Sequence, residues 1–165
     1  MAEPQSAPVP GETKAEAYAR IAKEIAAVVE GESSHTARYA TAASILTANF
    51  APRFFWTGFY VVDPEKGDEL VVGPYQGTLG CLRIPFGRGV CGAAAASGET
   101  QLVADVHAFP GHIACDARSQ SEIVVPVQDS AGKLAAVLDV DSDQRDAFDE
   151  VDQAGLEAIC EILLK

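Results

Sequence analysis

Three of the four cysteines of this chain lie in one stretch of polar and glycine-rich sequence. Cys81 follows a glycine, Cys91 precedes one, and Cys115 lies in a polar segment that also contains two histidines. Thiols grouped outside apolar runs are typical of two kinds of chemistry, thiol–disulfide exchange and metal binding. Cys160 instead falls within an apolar helical pattern, which is typical of a structural cysteine.

The spacing of the three grouped cysteines bears on which chemistry they perform. Zinc sites usually contain closely paired ligands such as C-x₂-C, and Cys81, Cys91 and Cys115 form no such pair. The pattern therefore favours redox use, in which one thiolate acts as nucleophile and a second thiol can reach it. A zinc site that combines these thiols with His107 and His112 is the alternative.

Three acidic residues are expected to meet on one face of a predicted hairpin. Its strands are predicted over residues 122–127 and 133–141. A turn at the middle of the connecting segment places Glu122 opposite Asp139. Because side chains alternate along a strand, Asp141 then shares a face with both.

Such a cluster has direct consequences for proton chemistry. Directly opposed like charges destabilise a sheet, and the flanking valine, leucine and isoleucine residues partly bury the three acids. Repulsion and desolvation together predict that at least one carboxyl group keeps its proton near neutral pH, and such a group can act as a general acid. Two other interpretations stay open here: acids at a solvated strand end, and a hard-metal site for Mg²⁺ or Ca²⁺.

Two aromatic residues indicate a possible pocket wall. Trp56 and Tyr60 lie four residues apart on a strand predicted over residues 54–62, so they share one face of it. Phe55 and Phe59 are predicted to lie on the other face, in the core. The usual role of strand aromatics is core packing, but a Trp–Tyr pair beside a pocket offers a flat apolar wall for a methyl or thioether group.

The elements that must position these residues follow from residue periodicity and capping signals. Helices are predicted from Thr13 to Glu30, from Ser33 or Ser34 to Phe50, over residues 89–96, and from Asp149 onward. Strands are predicted over residues 54–62, 69–76, 82–84, 101–104, 122–127 and 133–141, with a long loop from Asp105 to about Gln120. This order predicts one α+β domain over residues 12–165, after a flexible tail over residues 1–11.

Composition argues against several classes of protein. The chain has 165 residues, of which 48% are hydrophobic, as in globular domains. Its net charge of −12 and its lack of a Lys/Arg cluster argue against nucleic acid as a partner. Neither a membrane-spanning apolar run nor a secretory signal is found, so we expect a cytoplasmic protein whose thiols stay reduced unless they are redox-active.

Six motifs connect these observations to a known family. The segments WTGFY, GPYQG, RIPFGRGVCG, DVHAFPGHIACD, SEIVVPV and VLDVDS occur in this order. Together they resemble the free methionine-(R)-sulfoxide reductases, which are stand-alone GAF domains, and the resemblance covers roughly residues 13–163. It implies a central antiparallel sheet with helices packed on its faces, often found as a homodimer. It also implies reduction of free methionine (R)-S-oxide, a defence against oxidative stress.

The resemblance implies a role for each grouped cysteine. The cysteine of the HIAC motif, here Cys115, attacks the sulfoxide sulfur in that family. Cys81 matches the resolving thiol, and Cys91 matches a third cysteine near the site whose role is less settled. The implied cycle passes through a sulfenic acid on Cys115 and a disulfide with Cys81 that thioredoxin reduces. It requires no metal and no bound organic cofactor.

The resemblance also implies how substrate is held. Glu122, Asp139 and Asp141 match the carboxylates that bind substrate and polarise the sulfoxide. Trp56 and Tyr60 match the aromatic wall.

Two alternative functions remain from other classes. The first is a non-catalytic GAF sensor for a small molecule or a redox state. A sensor is normally joined to an output domain, and we expect none because no such segment follows Lys165 in the sequence. The second, a thiol-based peroxide sensor, would not need the three acids.

Overall fold

The computed structural model of this chain describes residues 6–165, and a six-stranded antiparallel sheet runs through its centre. The helices are α1 Lys14–Val28, α2 His35–Phe50, α3 Gly89–Ser97 and α4 Glu150–Leu163. The strands are β1 Trp56–Val62, β2 Glu69–Gln76, β3 Arg83–Pro85, β4 Gln101–Val103, β5 Ser121–Gln128 and β6 Leu134–Ser142. A short 3₁₀ turn, Val106–Ala108, interrupts the long loop between β4 and β5. The predicted α+β architecture is confirmed.

The capping signals in the sequence mark the helix ends correctly. The side chains of Thr13 and Ser34 each accept a hydrogen bond from the first turn of α1 and α2, and Asp149 caps α4. Gly98 ends α3 with φ 71°, a left-handed conformation that glycine adopts without strain. Of the predicted flexible tail, residues 1–5 lie outside the described part, and Ser6 hydrogen-bonds to Glu24 and Asn49.

The sheet separates two apolar clusters. Strand order is β3-β2-β1-β6-β5-β4, so β1 and β6 are central. Helices α1, α2 and α4 pack over one face, and the residues they bury there form the larger cluster. Helix α3 packs over the other face, with Trp56 and Tyr60. The site residues expected from the sequence lie on this second side of the sheet.

The register of the β5–β6 hairpin differs from the predicted one. Glu122 pairs with Asp141, and Val124 pairs with Asp139, which is a shift of two residues. Two features cause it: a three-residue turn in which Gly132 has φ 80°, and a bulge next to Val127 that adds one residue to β6. A shift of two keeps every side chain on its predicted face, so the three acids still lie together.

Two other sequence predictions about packing are wrong. Strand β1 begins at Trp56, so Phe55 precedes the alternating segment and packs on the α3 side of the sheet and not in the larger core. In α4, the apolar pattern predicts burial of Val151 and Ile162, but Val151 is 40% exposed and Ile162 is half-buried. Around the helix axis, both residues lie more than a quarter turn from the centre of the buried stripe formed by Leu156, Ile159 and Leu163.

Among residues 6–165, no helix is both long enough and apolar enough to cross a membrane.

Candidate active site

A cleft opens between the α3 face of the sheet and the loop that joins β4 to β5. Seven of the eight site residues expected from the sequence line it: Trp56, Tyr60, Cys91, Cys115, Glu122, Asp139 and Asp141. The eighth, Cys81, follows the lining residue Gly80 and is covalently joined to Cys115. Residues from six separate chain segments therefore converge on one cavity.

Stacked aromatic rings form one wall of the cleft. The ring centroids of Trp56 and Tyr60 are 5.7 Å apart with an interplanar angle of 19°. Tyr75, which the sequence analysis did not single out, stacks on the other side of Trp56 at 5.0 Å. The indole Nε1 of Trp56 donates to the backbone oxygen of Thr78 at 2.8 Å, which fixes the ring in place. The wall is flat, rigid and apolar.

Strand pairing brings the three acids together beneath this wall. On β6, Asp139 pairs with Gly58 of β1, and Asp141 pairs with both Trp56 of β1 and Glu122 of β5. Glu122 and Asp139 are each 5% exposed, and Asp141 is half-buried. Within the described residues, Asp139 Oδ1 has no hydrogen-bond partner. The sequence predicted partial burial, but two of the acids are almost completely buried.

Burial changes the acid–base properties of this cluster. Desolvation, and after it the charge of Asp139, raises the pKa of Glu122 well above the usual range for a glutamate. The same two effects raise the pKa of Asp141 well above its usual range. Desolvation also raises the pKa of Asp139, but hydrogen bonds from Glu122, Cys91 and Asp141 oppose this increase. Burial therefore favours the protonated form of all three acids, and in Asp139 hydrogen bonds oppose this effect.

The cysteines occur in two chemical states. Cys81 and Cys115 form a disulfide with a Cα–Cα distance of 5.5 Å. Cys91, on α3, is a buried free thiol 3.8 Å from Glu122 Oε1. Desolvation and the neighbouring carboxylates raise the pKa of Cys91 well above its usual range, so it is a poor nucleophile in this state. Cys160 is buried in α4, on the opposite side of the sheet, as the sequence predicted for a structural cysteine.

Among the described residues, one group of three side chains could hold a metal ion: Cys91, Glu122 and Asp139. Their ligand atoms lie within 4.8 Å of one another. Metal ligands must lose their protons, whereas burial raises the pKa of all three groups. The alternative zinc site that uses Cys81 and Cys115 is not assembled here, because their sulfurs are bonded to each other.

The loop around Cys115 contributes three further groups to the cleft, of which the sequence analysis had named only His112, as a ligand of the alternative zinc site. His112 lines the cleft, and its Nδ1 atom is buried without a partner among the described residues. Desolvation and the nearby His107 lower the pKa of His112, so its ring is neutral at physiological pH. Asp116 and Ser119 also line the cleft. Asp116 is the last residue of the DVHAFPGHIACD motif, whereas Ser119 lies outside the six motifs and no sequence signal identified it.

Two glycines allow the Cys81 loop to approach the aromatic wall. Gly77 has φ 128°, a conformation that side chains disfavour, and a Cβ there would lie 2.8 Å from the Trp56 ring. A Cβ on Gly80 would lie 3.0 Å from the Trp56 ring and 3.1 Å from the Tyr60 hydroxyl. Glycine at these positions lets Cys81 reach the rim of the cleft.

The raised pKa values predict how stability depends on pH. Because the folded-state pKa of Glu122 lies above its unfolded value, the folded protein binds more protons between these two values. The contribution of Glu122 is therefore fully present below about pH 4 and is lost as pH rises through the folded pKa. We expect Glu122→Gln to be at least as stable as the parent at neutral pH. Its advantage in unfolding free energy should grow from about pH 5 to about pH 8.

Denaturant unfolding of both proteins across this pH range measures the difference. Glu30→Gln, a change at an exposed position on the surface, is the matched control and should track the parent. A constant difference between Glu122→Gln and the parent would show that Glu122 has an ordinary carboxyl pKa in the folded state.

Comparisons with known proteins agree with this architecture. The GAF domain family matches residues 38–163. Protein YtsP of Bacillus subtilis is 48% identical over 148 residues, covering 90% of this chain and 89% of that protein. The free methionine-R-sulfoxide reductase of Escherichia coli is 43% identical, covering 87% of this chain and 84% of that enzyme.

A solved structure is similar over almost the entire chain. The free methionine-R-sulfoxide reductase of Neisseria meningitidis, in complex with its substrate, is 44% identical with a TM-score of 0.88. The match covers 97% of this chain and 93% of that chain. The motifs, the fold and these comparisons agree, and the chain belongs to the free methionine-R-sulfoxide reductase family of GAF-domain proteins.

Proposed function

We propose that this protein reduces free methionine (R)-S-oxide to methionine by thiol chemistry at Cys115. The observation that carries this proposal is the position of a disulfide-forming cysteine pair at the mouth of a cleft whose floor is a buried cluster of three acids. A disulfide alone would fit many redox proteins. A proton-retaining acid cluster beside it is what reduction of a sulfoxide requires, because the oxygen must be protonated before it leaves sulfur.

The shape and charge of the cleft fit a free amino acid. The wall of Trp56 and Tyr60 suits the methyl and methylene groups next to the sulfur. Asp139 has an unpartnered oxygen that can accept from the ammonium group or from a protonated sulfoxide. Because Glu122 and Asp139 are almost completely buried, a methionine sulfoxide within a folded protein cannot bring its backbone far enough into the cleft.

In the proposed first step, the thiolate of Cys115 attacks the sulfoxide sulfur while a protonated carboxyl group of the cluster donates to the oxygen. Attack forms a bond between the Cys115 sulfur and the substrate sulfur, and the protonated oxygen leaves the substrate as water. Water then adds to the Cys115 sulfur as the bond between the two sulfurs breaks, which releases methionine and leaves a sulfenic acid on Cys115. Cys115 is thereby oxidised by two electrons and the substrate is reduced by two. Glu122 and Asp141, whose pKa values are raised most strongly, are the candidate proton donors.

In the proposed second step, the thiol of Cys81 displaces the oxygen from Cys115 as water and forms the disulfide. The cycle closes when a dithiol donor of the thioredoxin class reduces this bond. Cys115 is exposed and Cys81 is half-buried, so an external thiolate has access to the disulfide. This cycle needs no metal and no bound organic cofactor, and it suits a reducing compartment such as the cytoplasm.

A coupled assay tests this function directly. With thioredoxin, thioredoxin reductase and NADPH, we expect turnover with free methionine (R)-S-oxide. The free S isomer and a peptide-bound sulfoxide should react about 10²-fold more slowly or worse, because their polar groups are misplaced in a buried site. Cys115→Ser should abolish turnover, and Cys160→Ala, a thiol loss on the other side of the sheet, should retain it. Substrate binding without any turnover would instead indicate a GAF sensor.

Single-turnover experiments separate the two cysteines. We expect Cys81→Ser to release about one methionine per active site and then to lose most thioredoxin-dependent cycling, because the sulfenic acid has no partner. Cys91→Ser should retain cycling, because Cys91 is buried and protonated next to Glu122. Unchanged steady-state turnover in Cys81→Ser would show that another thiol resolves the sulfenic acid.

A further inference from the structure

The two cysteines of the disulfide belong to different loops, and a second link joins the same two loops. Cys81 lies in the loop over residues 77–82, between β2 and β3, and Cys115 lies in the loop over residues 105–120. The hydroxyl of Thr78, in the first loop, donates to Asp116 Oδ2 in the second at 2.8 Å. Thr78 is three residues before Cys81, and Asp116 directly follows Cys115. This hydrogen bond therefore runs beside the disulfide.

The acceptor of this bond is firmly held. The Arg118 guanidinium binds both oxygens of Asp116, with Nε 3.1 Å from Oδ1 and an Nη 2.9 Å from Oδ2. The backbone N–H of Arg118 also donates to Oδ1, at 2.9 Å. The guanidinium carbon lies 4.8 Å from the centroid of the Phe55 ring. These hydrogen bonds hold the pKa of Asp116 well below its usual range, so it accepts from Thr78 as a carboxylate.

The Thr78 end of this hydrogen bond is held by Trp56, at the start of β1. The backbone oxygen of Thr78 accepts from Trp56 Nε1, and Gly77 packs against Trp56. Thus the Arg118 end of the link rests on Phe55, and the Thr78 end rests on Trp56. Both loops are therefore anchored on the residues at the start of β1.

We propose that Thr78 and Asp116 are positioning residues for disulfide formation, because their hydrogen bond keeps the two loops together when no covalent bond does. This proposal rests on the proposed function, in which Cys81 must reach the sulfenic acid on Cys115. In that step the Cys81 sulfur bonds to the Cys115 sulfur, the S–O bond breaks, and the oxygen leaves as water with the thiol proton.

The expected size of the effect follows from the chemistry of the link. A hydrogen bond to a charged group is stronger than a neutral one, and it offsets the entropy lost when two loops are brought together. By linkage, whatever favours the docked loops favours the disulfide to the same extent. We therefore expect loss of the Thr78 hydroxyl to slow disulfide formation about tenfold. It should also lower the equilibrium constant for disulfide formation against glutathione by a similar factor.

The test compares Thr78→Val, which replaces the hydroxyl with a methyl group, with Thr78→Ser, which restores a hydroxyl. Thr100→Val is a matched control, because Thr100 Oγ1 also donates to a carboxylate, that of Glu157, and neither residue lines the cleft that contains Cys115. Reduced enzyme is oxidised with one equivalent of hydrogen peroxide, and the sulfenic acid is followed by trapping with dimedone and mass spectrometry. This arm does not use methionine sulfoxide, so it gives an answer even if the proposed function fails.

We expect a sulfenic acid about ten times longer-lived in Thr78→Val, a lifetime near that of the parent in Thr78→Ser and Thr100→Val, and unchanged methionine release in a single turnover. In an Asp116→Asn background, Thr78→Val should have little further effect, because the charged acceptor is already lost. An unchanged lifetime in Thr78→Val would overturn the proposal. Equal slowing of methionine release would also overturn it, since that would show general damage to the site.

Discussion

The structure depends on keeping three carboxyl groups side by side in an apolar layer. Glu122, Asp139 and Asp141 lie on adjacent strands, beneath an aromatic wall and against α3. Three carboxylate charges in such a place would each cost several kcal/mol without compensation, so the cluster keeps protons instead. Neighbouring elements fit this constraint: α3 consists of small residues, and Gly58 leaves room for Trp56 and Tyr75. The burial of the three acids therefore restricts which residues can pack on this face of the sheet.

In the proposed reaction, the protonated acids act next to the two cysteines of the disulfide. Cys115 lines the same cleft as the acids, so the proposed nucleophile and the proposed proton donor face one cavity. Cys91, on α3, packs against Glu122, and burial raises the pKa of its thiol. The loops that carry Cys81 and Cys115 meet at the start of β1, next to the aromatic wall. In the proposed mechanism, substrate binding and disulfide formation therefore use the same edge of the sheet.

Much of this arrangement could be predicted from local sequence patterns. Helix caps, strand alternation and the motifs located the elements and gathered the site residues, because these signals act over short distances. The hairpin register was predicted two residues away from its true position, because a bulge and a three-residue turn leave little trace in the hydrophobic pattern. The face of the acids was still predicted correctly, because side-chain direction repeats every second residue.

Features that depend on contacts between distant segments were not predictable. The hydrogen bond from Thr78 to Asp116 joins loops that are unrelated in periodicity. The position of Phe55 depends on where β1 begins, and strand ends are poorly marked in sequence. The nearly complete burial of Glu122 and Asp139 results from α3 and the loop packing over the sheet, which no strand pattern shows. These are properties of the assembled fold.

Infrared difference spectroscopy at neutral pH measures the protonation of the cluster most directly. Subtraction of the Glu122→Gln spectrum from that of the parent isolates the carboxyl group of Glu122 and its response to Asp139 and Asp141. The account predicts a carbonyl stretch of a protonated carboxylic acid in the parent that is lost in the variant. The same carbonyl stretch should persist in Glu30→Gln, the control at an exposed position. A difference spectrum that contains only carboxylate bands would show that Glu122 is ionised, and would contradict the claim that the cluster stores the proton for sulfoxide reduction.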